Sequence, residues 1–483
     1  MALGTVVVHV LTGSRYGFQR DELATLDDAR HLAWGYVAYP PVTPFLGRLS
    51  LLMFGTSLAG FRFFAALAEA AALVLTGLMA RELGGNRPAQ LIAAAAAVPF
   101  CLGGGALMQY VSFDYLCWVL TAYFVLRLLK SDDPRWWIAI GSAIGLGMLS
   151  KYTMAFFVAG ITAGVLLTDA RRYLASKWLW LGIAAAILIF FPNFLWQAQH
   201  GFVSLDFLRH IHERDVRIGR ARYFLPEQLE LTLLAFPLWL AGLYFYFFTP
   251  AGRRFRALGW MYIVPLLLFL IAKGRAYYLA AAYPMLYAAG TVLLEQWLAA
   301  RPRPFAGALG AIVCTALVAD MFIAAAIALP IAPVNSIWWK TAVKLNGDFP
   351  EEIGWPELVE TVAKIRDSLP PEDRARLGIL GTNYGEAGAI NLYGPRYGLP
   401  TAISGVNSFW QRGYGNPPPE TLIVIGLPRG YIESIFAACE VAGHTWNRFG
   451  IANEETRDHP DIFVCRHLRE TWPEFWKNFR YFG

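Results

Sequence analysis

Eleven apolar segments fill most of the first 332 residues, and they constrain the fold of this chain more than any other feature. Several of them approach the length of about 20 residues that an α-helix needs to cross a bilayer. Of the 483 residues, 56% are hydrophobic and only 16% are charged. The pattern predicts a mainly α, polytopic protein with a transmembrane bundle of about 11 helices. The segments are Ala2 to Leu11, Ala59 to Leu83, Pro88 to Leu107, Ser112 to Leu129, Trp136 to Leu149, Tyr152 to Leu167, Trp178 to Trp196, Leu229 to Phe248, Leu258 to Ala272, Tyr277 to Leu298 and Phe305 to Ile331.

The loops between these segments predict which side of the membrane each one faces. Basic residues gather in alternate loops, which the positive-inside rule assigns to the cytoplasm. The remaining connections then face outward: Ser14 to Leu58, Gln197 to Gln228, the turns at Lys151 and Lys273, and the tail. The net charge of +6 is dispersed over many short loops, so it indicates topology rather than nucleic-acid binding.

The first apolar segment is too short for a complete span. About ten residues rise only about 15 Å as an α-helix. No basic region and no small-residue cleavage site indicate a signal peptide. Whether Met1 is the true start, or lies inside a longer first helix, stays open.

The tail changes character after residue 332, where charge, proline and turn residues increase. Short apolar runs at Leu377 to Leu380, Thr421 to Ile425 and Ile462 to Val464 alternate with helical patterns at Glu386 to Leu392 and Tyr431 to Val441. This alternation predicts a small extracytoplasmic α/β domain. We therefore divide the chain into a transmembrane domain, 1–332, and a C-terminal domain, 333–483.

Several small motifs in and around the tail have limited meaning. Gly381, Gly385 and Gly388 do not have the spacing of a dinucleotide-binding fingerprint. Cys439 and Cys465 are the only cysteines of the outward domain, and the sequence leaves open whether they form a disulfide. The absence of a Walker-type phosphate loop argues against an ATP-driven pump.

The first outward loop is dense in carboxylates. Asp21 and Glu22 are adjacent, and Asp27 and Asp28 follow one to two helical turns later. Ionisable groups this close to hydrocarbon are costly, which favours a functional role. A capped helix at the membrane interface explains the same pattern, and both interpretations stay open.

Two outward groups of cations violate the positive-inside rule. The Gln197 to Gln228 segment contains Arg217 and Arg220, and the turn after Ala272 contains Lys273 and Arg275. Arginine offers a fork of donors and lysine a compact charge, and both suit the phosphate of a lipid-linked substrate. Snorkelling, or binding of ordinary anionic lipid head groups, is the alternative.

Aromatic residues and one further acid complete the candidate site. Trp34, Tyr36 and Tyr39 share the first loop with the acids, where they either stack on sugar faces or belong to the interfacial aromatic belt. Asp114 follows a short outward turn, where it either positions the donor or caps a helix.

These motifs together resemble the C-superfamily of glycosyltransferases, nearest to the bacterial protein O-mannosyltransferase and aminoarabinose transferase group. The resemblance rests on Asp21-Glu22 with HLAWGYV and PPVTP, on MQYVSFDYLCW, on Ser150-Lys151-Tyr152, and on Lys273-Gly274-Arg275 with Tyr277-Tyr278. It extends to GTNYGEAGAINLYGPRYGLP and SGVNSFW in the tail.

The resemblance implies transfer of a sugar from a polyprenyl-phosphate carrier to an acceptor on the outer face. It implies that Asp21, with Glu22 beside it, is the catalytic acidic position. It adds Lys151 to the predicted phosphate-binding cations and Tyr277 and Tyr278 to the substrate-binding residues. It also implies a multi-pass protein of the bacterial inner membrane with an extracytoplasmic active site.

The chemistry of sugar transfer fits the same residues. The acceptor hydroxyl loses a proton as it attacks the anomeric carbon, so one carboxylate, Asp21, suffices as general base. The phosphate leaving group is already anionic and needs cations rather than a protonating acid. A single displacement then inverts the sugar carbon. The acceptor is a protein, a lipid or a glycan. No cofactor is assigned, and a divalent cation, Mg²⁺ or Mn²⁺, at the acidic pair stays open.

A transporter or flippase of lipid-linked sugars is the alternative function. Such a protein also needs outward cations, interfacial aromatics and many spans. Its charges are expected along a path at the membrane midplane, whereas this chain concentrates them at one face. This distribution favours the transferase.

Overall fold

The computed structural model describes all 483 residues, and helices dominate it. The helices of the first two-thirds are α1 (Ala2–Thr12), α2 (Arg20–Arg30), α3 (Val42–Phe54), α4 (Leu58–Glu82), α5 (Arg87–Gly104), α6 (Tyr110–Ser131), α7 (Trp136–Met148), α8 (Met154–Leu166), α9 (Lys177–Gln199), α10 (Val203–Arg217), α11 (Phe224–Thr232), α12 (Phe236–Phe248), α13 (Arg256–Ile271), α14 (Tyr283–Ala299) and α15 (Arg303–Ala328). A 3₁₀ segment, Ala276–Ala282, precedes α14. The predicted mainly α class is confirmed.

The last third contains short helices and five strands. The helices are α16 (Ile337–Val343), α17 (Trp355–Ser368), α18 (Pro371–Ala375), α19 (Tyr384–Tyr393), α20 (Asn407–Trp410), α21 (Arg429–Ile435), α22 (Glu454–Arg457) and α23 (Trp472–Asn478). The strands are β1 (Leu377–Gly381), β2 (Ala402–Ile403), β3 (Thr421–Ile425), β4 (Phe436–His444) and β5 (Asp461–Leu468).

Each of the eleven predicted apolar segments coincides with helical structure. Seven helical stretches are long and apolar enough to cross a membrane, and an eighth is counted if the bent pair Met154–Leu166 and Asp169–Ala175 forms one span. The apolar helices α1, α3 and α7 are shorter. The predicted total of about 11 spans therefore stays a prediction.

Two compact units divide the chain between them. The first comprises Met1–Gly13, Tyr39–Thr43 and Ala59–Leu329, and the second comprises Ser14–Ala38, Pro44–Leu58 and Pro330–Gly483. The predicted boundary after residue 332 lies close to the start of the last segment, at Pro330. Most of the loop Ser14 to Leu58, however, groups with the tail rather than with the helical bundle.

Glycines set the helix spacing in the first unit. A Cβ atom on Gly242 of α12 would lie 2.1 Å from the Leu286 carbonyl oxygen of α14, and one on Gly290 of α14 would lie 1.9 Å from the Leu238 oxygen. The two backbones thus approach more closely than any side chain would permit. Small residues serve this purpose in membrane bundles, where van der Waals packing replaces the hydrophobic effect between helices.

The second unit is built on a mixed five-stranded sheet with the order β2-β1-β3-β5-β4. β1 pairs parallel with β2 and β3, and β5 lies antiparallel between β3 and β4. Its core comprises apolar side chains of the central strands and of the last helix, among them Leu380, Val424, Phe463 and Trp476. This architecture confirms the small α/β domain.

One predicted element of this domain is wrong in its second half. The pattern from Tyr431 to Val441 predicts a helix, but α21 ends at Ile435 and Phe436 begins β4. The residues after Phe436 pair with β5, and Cys439 stands opposite Cys465, to which it is joined by a disulfide. Pairing with a neighbouring strand overrides a local helical pattern because it satisfies the same backbone groups.

Candidate functional site

Lys151 is the centre of a cationic cluster in the first unit. It lies in the turn between α7 and α8, and its ammonium nitrogen stands over three tyrosine rings, at 4.6 Å from the centre of Tyr110, 4.8 Å from Tyr277 and 3.8 Å from Tyr278. Such faces attract a cation through the ring quadrupole. No salt bridge neutralises Lys151, so its charge is available to an anion.

Asp114 lies near Lys151 and is rigidly held. It is buried in α6, where one carboxylate oxygen accepts from the Trp118 indole at 3.1 Å and the other from the Thr153 hydroxyl at 2.9 Å. Burial lowers the pKa of Lys151, with a further lowering by Arg275, while the Asp114 carboxylate raises it. Gln109 is the residue before α6 begins, so Asp114 is not its N-cap.

Arg275 belongs to the same group of residues and has a fixed orientation. Its guanidinium donates two hydrogen bonds to Asp215, at 2.6 Å and 3.2 Å, in the bidentate geometry that orients arginine well. Asp215 is buried at the end of α10, and Arg220 also donates to it at 3.4 Å. One acid therefore organises cations from two separate segments of the chain.

Two further predicted cations are exposed. Arg217 ends α10 and makes no ion pair. Lys273 lies in the turn before Arg275, with a left-handed backbone φ of +50°. Cations therefore outnumber the carboxylates Asp215 and Asp114 in this part of the unit, and the excess charge suits an anionic group.

The predicted substrate-binding residues Tyr277 and Tyr278 lie in the 3₁₀ segment Ala276–Ala282. Their rings are two of the three that face the Lys151 ammonium. Tyr39 also belongs to the first unit, and its ring centre lies 6.1 Å from that of Tyr110. The tyrosine surface around Lys151 therefore continues to Tyr39.

The acidic pair Asp21 and Glu22 lies in the second unit, at the start of α2. Gln19 caps this helix: its side chain accepts from the Asp21 backbone N–H at 2.6 Å, and its own N–H donates to the Glu22 carboxylate at 3.0 Å. Glu22 is fully buried and completes this capping box, whereas Asp21 is half-buried. The geometry thus gives Glu22 a structural task and leaves Asp21 as the more accessible acid.

The other residues of the first loop differ in their settings. Asp27 and Asp28 are buried and both pair with Arg412. The Tyr36 hydroxyl is buried and donates to backbone oxygens of its own loop, which favours a structural role over sugar stacking. Trp34 is 60% exposed, so its ring face is accessible.

Tyr110, Thr153 and Asp215 are site residues that the sequence did not single out. Tyr110 lies within the MQYVSFDYLCW motif and Thr153 directly follows Ser150-Lys151-Tyr152, so their position in the chain was a usable signal. Asp215 is one of four acids in the basic segment Gln197 to Gln228, and nothing in the sequence distinguished it from the other three. No group of three or more histidine, cysteine or carboxylate side chains has the geometry of a metal site, and the predicted Mg²⁺ or Mn²⁺ stays a prediction.

Comparisons with known proteins agree with the resemblance found in the sequence. A family model described as dolichyl-phosphate-mannose-protein mannosyltransferase matches residues 38–196. The lipid A galacturonosyltransferase RgtD of Rhizobium johnstonii is 26% identical over 295 residues, which are 56% of this chain and 60% of that protein. The chain therefore matches less than two thirds of this relative's length.

Two groups of solved structures share the fold. ArnT of Cupriavidus metallidurans bound to undecaprenyl phosphate superimposes with a TM-score of 0.61 at 16% identity, over 96% of each chain. The archaeal oligosaccharyltransferase AglB of Archaeoglobus fulgidus, in complex with an inhibitory peptide and a dolichol-phosphate, gives a TM-score of 0.53 at 14% identity, over 88% of this chain and 69% of its own. These matches show that the chain shares the fold of these two structures.

Proposed function

We propose that this protein is a membrane glycosyltransferase that moves a sugar from a polyprenyl-phosphate donor to an acceptor hydroxyl on the extracytoplasmic face. The observation that carries the proposal is the Lys151 cluster, in which an unpaired ammonium and an oriented arginine stand among tyrosines. Such a cluster suits one phosphate group with an apolar tail.

The cationic cluster is assigned to the donor phosphate. Lys151 supplies an unneutralised point charge, and Arg275 supplies donors that Asp215 already orients. Charge on the bridging phosphate oxygen grows as its bond to the sugar breaks. Preorganised cations stabilise this charge without reorganising during the reaction. Lys273, Arg217 and Arg220 are assigned to the same phosphate as outer cations.

Asp21 is assigned the role of general base. The acceptor oxygen attacks the anomeric carbon while its proton passes to the Asp21 carboxylate. The bond between that carbon and the phosphate oxygen breaks, and the electron pair leaves with the carrier phosphate. One displacement of this kind inverts the anomeric carbon. Glu22 is assigned to support Asp21 through the helix cap rather than to accept the proton.

The aromatic residues are assigned to sugar binding, and a lipid is proposed as the acceptor. Tyr39, Tyr277 and Tyr278 offer ring faces for the sugar, with Trp34 as a further exposed ring, and Asp114 holds the Lys151 region in place. The names of the relatives supply two donor carriers, undecaprenyl phosphate and dolichol phosphate, and one lipid acceptor, lipid A. A phosphoglycolipid of the outer leaflet is therefore the first acceptor to test.

The test uses purified protein, a panel of polyprenyl-phosphate sugars, and lipid A, peptide and glycan acceptors. Product formation is followed by mass spectrometry, and its anomeric configuration by NMR. We expect transfer with inversion, and a loss of at least about 100-fold in kcat for Asp21→Asn, in line with removal of a general base. Asp206→Asn, the same change at an exposed acid of α10, is the matched control and should retain activity.

Glu22→Gln separates the two acids. It should lower the thermal stability more than the rate of transfer, because Glu22 is buried in the helix cap. Full activity of Asp21→Asn would move the base elsewhere. Movement of lipid-linked sugar across vesicles without any covalent product would contradict the transferase itself.

A further inference from the structure

The glycine-rich stretch of the tail, which has no dinucleotide-binding spacing, has a packing role in the second unit. It forms α19, which starts directly after β1. The side chain of Asn383 accepts from the Glu386 N–H at 2.8 Å, and the Glu386 carboxylate accepts from the Asn383 N–H at 3.1 Å. This capping box fixes Tyr384 as the first residue of the helix.

The face of α19 that contains Gly385 and Gly388 lies directly against α2. A Cβ atom on Gly388 would lie 2.8 Å from the Cβ and the carbonyl oxygen of Leu23, and one on Gly385 would lie 2.8 Å from the Cβ of Arg20. The two glycines are one turn apart, so both stand on the same face of the helix. Only glycine permits so close an approach of the two backbones.

This close approach brings Tyr384 to Asp21, the proposed base. The Tyr384 hydroxyl forms a side-chain hydrogen bond with the Asp21 carboxylate, and burial and Asp21 together raise the pKa of Tyr384. The phenol therefore stays protonated and donates. The Arg20 guanidinium stands 5.9 Å from the centre of the same ring and is itself paired with Glu454.

We propose that Tyr384 is a positioning residue for Asp21, so that the C-terminal domain takes part in catalysis through α19. One donor on the carboxylate restricts its rotation and directs its second oxygen towards the acceptor. A hydrogen bond to the ionised form also favours that form, which is the form a base requires. The inference rests on the proposed function, because it assumes that Asp21 is the base.

The first experiment removes only the hydroxyl, with Tyr384→Phe. We expect kcat to fall about tenfold or more, the loss typical of a hydrogen bond to a charged group, with a smaller change in the KM of the donor. We also expect the acid limb of the pH–rate profile to move to higher pH, because the ionised carboxylate has lost a donor. A purely structural tyrosine would not move this limb.

Tyr481→Phe is the matched control. Tyr481 lies in the same unit, donates its hydroxyl to the Thr382 carbonyl and has a side-chain hydrogen bond with Ser404, so the variant loses hydrogen bonds without touching Asp21. It should leave the pH–rate profile in place. If Tyr384→Phe behaves like Tyr481→Phe in kcat and in pH profile, the positioning role is wrong while the transferase proposal stands.

A second measurement does not depend on activity. Thermal unfolding of wild type, Asp21→Ala, Tyr384→Phe and the double variant forms a double-mutant cycle, which isolates the interaction between the two side chains. We expect the double variant to be destabilised by less than the sum of the single variants. Additive effects would overturn the contact itself. If the two variants are non-additive in stability but the wild type transfers no sugar, the contact between Tyr384 and Asp21 is supported and the proposed function is contradicted.

Gly388→Ala tests the helix spacing. The new methyl group would meet the Leu23 backbone, so α19 has to move away from α2. We expect this variant to lower kcat and to shift the acid limb in the same direction as Tyr384→Phe. Ala389→Gly, a change of equal size at the next position of α19, is its control. A normal profile for Gly388→Ala would contradict the role of the close approach.

Discussion

The ammonium nitrogen of Lys151 lies 3.8 Å from the centre of the Tyr278 ring and within 5 Å of two more tyrosine rings, Tyr110 and Tyr277. The rings surround the charge with apolar surface and leave it without a carboxylate partner in contact. The ring faces attract the ammonium and offset part of the cost of its burial, and an anion can approach it.

Lys151→Met should therefore weaken donor binding rather than unfold the protein. We expect the KM for the polyprenyl-phosphate donor to rise about tenfold to a hundredfold, the range for one lost charge-assisted contact. Lys177→Met is a suitable control, because Lys177 also stands over an aromatic ring, that of Trp178 at 5.4 Å, but outside the cluster. An unchanged KM for Lys151→Met would exclude Lys151 from phosphate binding.

The bidentate pair of Arg275 and Asp215 gives a second prediction: substitutions in this pair should affect protein stability and donor binding differently. Arg275→Ala leaves the buried Asp215 without its main partner, and should cost about 2 kcal/mol of unfolding free energy. Removing both partners, with Arg275→Ala and Asp215→Ala together, should restore much of that stability but not the affinity for the donor. Thermal unfolding and donor titration measure the two effects. Recovery of donor affinity in the double variant would contradict the assignment of Arg275.

Substitution of Arg412 is expected to lower the stability of the second unit strongly. It pairs with Asp27 and Asp28, both of which are buried. Arg412→Ala removes the arginine from two buried carboxylates and should cost about 3–5 kcal/mol, the usual result of breaking a buried ion pair. Arg429→Ala removes an exposed pair with Glu433 and should change stability by less than about 1 kcal/mol. Equal melting temperatures for the two variants would contradict this ranking.

Two buried carboxyls predict how the stability of the second unit depends on pH. Burial, together with the neighbouring Glu455, raises the pKa of Glu386 to about 8, and burial with Glu351 raises that of Glu455 to about 7. The folded unit then holds protons that the unfolded chain releases near pH 4.5. Stability from these groups is present at low pH and is lost as the pH rises towards 8.

The melting temperature should accordingly fall between about pH 5 and pH 8 in the wild type. Glu386→Gln cannot ionise but still presents an oxygen to the Thr382 and Asn383 N–H groups, so its fall should be smaller. Thermal unfolding across this pH range measures the difference. A variant with the same pH slope as the wild type would contradict a protonated Glu386.

The sequence by itself determined the membrane class, the mainly α fold and the presence of a small α/β domain. These properties depend on local composition and periodicity: a long apolar run has few solutions other than a helix in a bilayer, because every backbone polar group must be satisfied within it. The motifs around Asp21, Lys151 and Lys273 also resembled one superfamily, and the comparisons agree with that resemblance.

The tertiary structure decided which of these residues meet. Lys151, Tyr110 and Tyr278 come from three separate segments, and nothing in their spacing predicts a ring cage. Asp215 became the organiser of Arg275 only through the turn that follows α13. In the same way, Gly388 was unexplained until α19 packed on α2 and brought Tyr384 to Asp21. Periodicity records which face of a helix is apolar, but the partner of that face depends on packing between segments that are distant in the chain.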